Sequence, residues 1–170
     1  MNRIWRSSLL LTGLTLMAPA VPAFAAAGSS TAAAQGEAGK ALEKAPLTIT
    51  DRHGMRHDFT VEIARTEKEK ETGESTHQTI PDGTGMLFLF NPPEAAAMWM
   101  RNTPASLDIV FIGADGHIQA IAEKTVPYSE RRLTGQGDSA AVLEVAAGTM
   151  EKNNIVVGDL VSSKALSTAH

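Results

Sequence analysis

GMLFLFNPPEAAAMWMRNTPASLDIVFIGADG, residues 85–116, decides the fold. In its first run Met86, Phe88 and Phe90 share one side of an extended chain, while Leu87 and Leu89 take the other. A strand that is apolar on both sides is one covered on both faces. Asn91-Pro92-Pro93 is expected to stop it, because proline cannot donate to a ladder and restricts the residue before it. A second run puts Met98 and Met100 on one side and Trp99 and Arg101 on the other. After the turn Asn102-Thr103-Pro104, a third run sets Leu107, Ile109 and Phe111 opposite Asp108, Val110 and Ile112. Gly113-Ala114-Asp115-Gly116 then closes a hairpin that returns along residues 117–122.

Upstream, Leu47 and Ile49 alternate with Thr48 and Thr50, and beyond the turn Asp51-Arg52-His53-Gly54 the residues His57, Phe59, Val61 and Ile63 alternate with Asp58, Thr60 and Glu62. This predicts a hairpin with one wet face. RTEKEKETGE, residues 65–74, carries dense charge, a capping Thr66 and no apolar stripe, so it predicts a helix that buries little. Downstream, residues 127–138 are polar and Gly-bearing and predict a mobile surface loop. Residues 141–147 resume a strand, Thr149 can cap a helical turn to Asn153, and residues 155–161 predict a strand bent at Gly158. Short strands at this spacing predict a mainly β domain over residues 46–162, a jelly-roll-like sandwich or small barrel with one or two short peripheral helices. Residues 163–170 are expected to fray.

Arg3 and Arg6 precede the apolar run Leu9–Met17, and Ala23-Phe24-Ala25 supplies small residues around a cleavage point. Residues 1–25 therefore read as a secretory signal, since the apolar run is too short to span a bilayer. Residues 26–45, rich in Ala, Gly and Ser, read as a flexible linker. A periplasmic or secreted location follows, and with no cysteine the mature fold must rest on packing rather than disulfides. Without Arg3 and Arg6 the 15 basic residues fall to 13 against 19 acidic ones, a net charge of −6. Such a surface disfavours nucleic acid and anionic lipid, so neither a nucleic-acid partner nor membrane insertion after signal cleavage is expected.

The chain resembles the domain of unknown function 192 family. The resemblance rests on Gly85-Met86-Leu87-Phe88, Met98-Trp99-Met100-Arg101-Asn102-Thr103, Leu107-Asp108-Ile109-Val110-Phe111-Ile112 and Asp115-Gly116. Val126-Pro127-Tyr128-Ser129, Leu143-Glu144, Ala147-Gly148 and Gly158-Asp159-Leu160-Val161 then follow in the family's order. It implies a mainly β, jelly-roll-like domain and no agreed biochemical role. One segment departs from the family pattern. Where relatives carry an arginine, Gly-Leu-Met and another arginine, this chain has Gly73-Glu74-Ser75 and His77. Two apolar packing positions have become polar, so the helix there is expected to dock poorly.

Asp108 shares a strand face with Val110 and Ile112, and a carboxylate entering a covered sheet needs a partner. Arg101 is the nearest cation in sequence, and Trp99 offers a ring for its guanidinium. Asn102, Thr103, Ser129 and Glu144 are further polar candidates. Together they predict a shallow polar pocket with an aromatic wall, suited to a sugar or small anion. The competing reading is a structural ion pair that fixes the crossing of two strands. His53, Met55 and His57 have ligand chemistry suited to copper, but solvated turn residues are the default, and no metal or cofactor is expected. No nucleophile elbow, HExxH or phosphate loop is present. The expected function is an exported, non-catalytic module binding a small molecule or an envelope protein. The alternative is a cell-envelope saccharide-acting enzyme using a carboxylate pair, Asp108 and Glu144.

Overall fold

The computed structural model describes residues 41–167. The expected signal (1–25), most of the expected linker and the last three residues of the tail lie outside the described residues. The strands are β1 (Lys44–Thr50), β2 (Arg56–Ala64), β3 (Thr84–Glu94), β4 (Ala97–Met98), β5 (Leu107–Ile112), β6 (Ile118–Ala122), β7 (Leu133–Thr134), β8 (Ser139–Ala146) and β9 (Leu160–Ser162). Three short helices accompany them: α1 (Glu67–Thr72), continued by a 3-10 turn (Gly73–Thr76), α2 (Thr149–Asn153) and α3 (Lys164–Ser167).

Seven strands form one sheet in the order β6-β5-β8-β3-β2-β1-β9, and β4 pairs with β7 in a small second sheet. All pairings in the large sheet are antiparallel except β2 with β3. Its two outer strands meet at one end, where His117 bridges Leu160, Ile118 N–H donates to Asp159 O at 3.0 Å and Val161 N–H to Gly116 O at 2.9 Å. The sheet is thus curled on itself as a half-barrel, the mainly β domain that the strand pattern predicts.

Alternation along β3, β5 and β8 feeds two separate cores. Leu87, Leu89, Val110, Ile112, Ala141, Leu143 and Val145 join the β1–β2 hairpin, Met150 and Ile155 in the larger one. Met86, Phe88, Phe90, Leu107, Ile109, Phe111 and Val142 build the smaller one with Ala96 and Met100. Every residue of β5 is buried. Consequently a polar side chain on these strands leaves water whichever way it points.

Several expected elements differ, and at residues 155–158 the reason is a local polar group that captures backbone a ladder would have used. Residues 155–158 form a turn rather than a strand: the Asp159 carboxylate accepts from Val156 N–H at 2.8 Å and from Arg52 N–H at 3.1 Å, leaving only Leu160–Ser162 to pair. In the tail, residues 164–167 form α3, where Ala165 N–H donates to Ser163 Oγ at 3.3 Å and Ala165 is buried. The second run is shortened to Ala97–Met98 because Thr103 N–H folds back to Met100 O. The 127–138 loop is pinned by β7 against β4. β3 does not stop at Asn91-Pro92-Pro93 as expected but runs on to Glu94, which lies opposite Ser139 after a register shift. Gly148, not Thr149, is the N-cap of α2; Thr149 Oγ donates instead to Ala146 O.

Asp108 is fully buried, yet its partner is not Arg101. Its Oδ1 accepts from Lys124 N–H at 2.8 Å and Gly148 N–H at 3.1 Å, and its Oδ2 accepts from Met150 N–H at 2.9 Å. Three amides from two segments converge on one carboxylate, tying the β6 exit and the start of α2 to the middle of the sheet. Asp108→Ala strands these donors, and urea denaturation is expected to show a loss of about 3 kcal/mol or more, with Asp108→Asn losing roughly half of that.

Candidate functional site

Glu144 lies on β8 opposite Met86 of β3 and Ile109 of β5. Alternation places it on the face of Val142, so its carboxyl enters the smaller core beside Phe88. Only 4% of it is exposed. The Glu74 amide reaches it from the 3-10 turn, and the Glu74 carboxylate lies close enough to oppose its ionisation. Burial, reinforced by that neighbouring charge and only partly offset by the Glu74 amide, raises its pKa to about 8. At neutral pH Glu144 is therefore mostly an uncharged carboxylic acid, able to donate as well as accept.

Two local features bring the 3-10 turn there. Thr66 caps α1 in a capping box: Glu69 N–H donates to Thr66 Oγ at 3.3 Å and Thr66 N–H to Glu69 Oε2 at 2.9 Å. α1 buries none of its residues, as its charge predicts. At its end Gly73 adopts φ 47° and ψ −147°, backbone essentially restricted to glycine. A Cβ at that position would lie 3.3 Å from the Phe88 ring and 3.8 Å from Glu144 Oε2. The missing side chain lets the turn close down on Glu144, so the polar Gly73-Glu74 segment docks despite the expectation that it would do so poorly.

Glu74 is itself buried, with 5% exposure, and its Oε2 lies 2.7 Å from His77 Nδ1. Burial pushes the Glu74 carboxyl up, the adjacent His77 draws it back down and Glu62 raises it again. His77 is half-exposed, so the pair runs from the interior to solvent.

Between α1 with its 3-10 turn and the β3–β4 corner lies a cleft of about 320 Å³. Glu74 and Glu144 form part of its lining, Phe88 and Phe90 add apolar surface, and Trp99 and Arg101 stand at the corner side. Trp99 is 49% exposed, and the Arg101 guanidinium sits 5.7 Å from its ring centre. Lys70 lies 4.5 Å over the Phe90 ring and 3.0 Å from Glu67. Carboxyls outnumber cations here, with Glu67, Glu71, Glu74, Glu94 and Glu144 set against Lys70 and Arg101.

Four of the seven residues singled out from sequence, Trp99, Arg101, Thr103 and Glu144, line this cleft. Asn102 occupies the exposed turn beside it with φ 60°. Asp108 is enclosed by the backbone amides described above. Ser129 lines a different groove with Met100, and its Oγ accepts from Arg131 N–H at 3.2 Å. Arg101 lies 3.7 Å from Glu130, both largely exposed, a pair of little energetic weight. Gly73, Glu74 and His77 were missed. The available signal was the family resemblance, which implies an apolar residue where this chain has Glu74.

The turn bearing His53, Met55 and His57 is organised differently. The Asp51 carboxylate accepts from His53 N–H at 2.8 Å and Met55 N–H at 2.9 Å, and His57 Nε2 lies 3.6 Å from Asp51 Oδ2. The Met55 amide, opposed by burial, holds the Asp51 carboxyl below its ordinary range. Among the described residues no three His, Asp or Glu side chains are grouped to hold a metal ion.

Residues 48–163 match the domain of unknown function 192 family, described as uncharacterized ACR. The chain belongs to this family. Two solved structures share the fold of this DUF192 domain. A putative transcription regulator from Sinorhizobium meliloti 1021 is 34% identical, with a TM-score of 0.71 over 74% of this chain and 97% of that one. A protein of unknown function from Novosphingobium aromaticivorans DSM 12444 is 42% identical, with a TM-score of 0.69 over 71% of this chain and 86% of that one. Comparison of the DUF192 chain with curated proteins finds no significant match.

Two measurements check the geometry. Gly73→Ala is expected to cost about 1–3 kcal/mol in urea denaturation and to lower the Glu144 pKa, read by carbon-detected NMR, as the turn lifts and water enters. The second concerns pH. Because Glu144 binds its proton more tightly when folded, the native state holds more protons than the unfolded one between pH 4.5 and about 8, and this group makes stability fall as pH rises through that window. Glu144→Gln removes the effect. The difference in unfolding free energy between the variants should therefore grow in favour of Gln by several kcal/mol, as an order of magnitude, from pH 5 to pH 8.

Proposed function

We propose that this DUF192 domain is an exported recognition module for a small, neutral, hydroxyl-rich ligand of the saccharide class. The observation that carries the reading is the cleft: an exposed indole on one side, and two buried carboxyl groups within it, one of them beside a half-exposed imidazole. A sugar ring presents an apolar face to an aromatic side chain, and each of its hydroxyls both donates and accepts. Protonated Glu144 donates, Glu74 accepts, and Arg101 supplies fixed donors near Trp99.

Charge narrows the ligand further. Carboxyls dominate the cleft, and this weighs against the small anion that the sequence left open. The same acidity, with the chain's net charge of −4, weighs against nucleic acid, whatever role the Sinorhizobium protein has. Export rests on the amino-terminal pattern of two arginines, a short apolar run and an alanine-flanked cleavage point.

Binding of neutral oligosaccharides, measured by isothermal titration calorimetry, tests the reading. Trp99→Ala is expected to weaken binding about tenfold. Affinity should fall as pH rises from 6 to 9, because Glu144 loses its donor proton near pH 8. Absence of binding to any neutral sugar at any pH in that range overturns the assignment.

A further inference from the structure

The carboxyl pair conceived from sequence, Asp108 with Glu144, is not one the cleft can use, since Asp108 is closed off by its three amides. A different pair converges. Glu144 comes from the sheet and Glu74 from the 3-10 turn, both at least 95% buried and both lining the same 320 Å³ cleft. Glu74 also borders a second hollow of about 280 Å³ on the far side of the turn, together with His77 and Glu62. Its carboxylate therefore stands between the cleft and a half-exposed imidazole 2.7 Å away. A site that only held a ligand has no use for a link from its buried acid to solvent, whereas a site that moves a proton in every cycle needs one.

We propose that the cleft is an acid–base catalytic site that hydrolyses an acetal linkage of a bound saccharide, with Glu144 as general acid, Glu74 as general base and His77 as the positioning residue that returns protons to solvent. This rests on the saccharide reading of the cleft and goes beyond it. Acetal hydrolysis needs two carboxyl groups at one pH, one protonated and one ionised, and unlike environments are what produce that state. Here burial in the smaller core keeps Glu144 neutral; burial raises the Glu74 carboxyl as well, but the His77 imidazole 2.7 Å from its Oε2 opposes that, so the two acids stand in unlike surroundings. In the step itself Glu144 gives its proton to the bridging oxygen as the carbon–oxygen bond breaks, and the bonding pair leaves with that oxygen. A water molecule adds to the anomeric carbon and yields its proton to Glu74. Glu74 passes that proton through His77, Glu144 is reprotonated from solvent, and one water is consumed per bond. The titratable groups around the pair are Lys44, Glu62 and His77 behind Glu74, and Glu67, Lys70, Glu71, Glu94 and Arg101 across the cleft.

The purified chain is incubated in ¹⁸O-labelled water with cellotetraose, chitotetraose, maltotetraose and solubilised peptidoglycan glycan strands, with products followed by mass spectrometry and binding measured in parallel by calorimetry. Cleavage of at least one substrate, with one labelled oxygen per new reducing end, is expected. Glu144→Gln, which preserves the shape and the neutral state of the side chain, should lower kcat about a hundredfold or more while binding changes only a few-fold. Glu74→Gln should do likewise, and azide should restore part of its rate by replacing the missing base. His77→Gln should shift the pH profile and lower kcat with KM little changed. Binding without cleavage overturns this inference and leaves the recognition reading standing; neither binding nor cleavage removes both. Cleavage that survives Glu144→Gln also overturns it.

Discussion

Covering on both faces is the constraint from which the rest follows. β3, β5 and β8 each lie between two cores, so a charge carried by any of them must be answered within the protein or give up its ionisation. Asp108 and Glu144 sit on neighbouring strands, one residue out of register, and point to opposite faces. They meet the same cost in opposite ways. Asp108 receives three backbone donors, which suit a carboxylate well and make it a tie between segments. Glu144 receives one amide and a second acid, so protonation is the cheaper state. One acid consequently belongs to the fold, and the other remains chemically available at the cleft.

That contrast was only half legible in the sequence. Alternation gave the strands, their two faces and the burial of Asp108, because period-2 patterning is a local property. The partners of Asp108 were not, since they lie 16, 40 and 42 residues away and are backbone amides, which no side-chain pattern announces. Arg101, close in sequence, instead stacks near Trp99 at the surface, so the nearest cation was a poor guide to the partner. Strand ends were similarly obscured. Asp159 and Ser163 look like ordinary polar residues until their side chains are seen holding the amides of Val156, Arg52 and Ala165.

Glu74 escaped detection for a different physical reason. It ends a segment with acidic or basic residues at seven of its ten positions, and such a run reads as a solvated face. For Glu67, Lys68 and Glu71 that reading is right, since all three are exposed. The direction of the chain changes at Gly73, and the positive φ there carries the next side chain inward. Burial of one glutamate among many is thus decided by a single backbone angle. The family resemblance carried the only hint, because a polar residue at a packing position must find a polar reason to be there.

The wall formed by α1 is the least anchored part of the cleft. The helix buries no residue of its own and depends on its capping box and on the contact of Gly73 with Phe88. Segments with few buried contacts open at lower free energy than the sheet beneath them. Opening there would hydrate Glu144 and separate it from Glu74, removing both causes of its raised pKa. Displacement of the turn and ionisation of Glu144 are therefore thermodynamically linked: acid conditions favour the closed cleft, and alkaline conditions favour the open one. A ligand that accepts the Glu144 proton in a hydrogen bond adds to the closed side of that balance. The same glutamate that makes the cleft chemically distinctive thus also sets how tightly its wall is held.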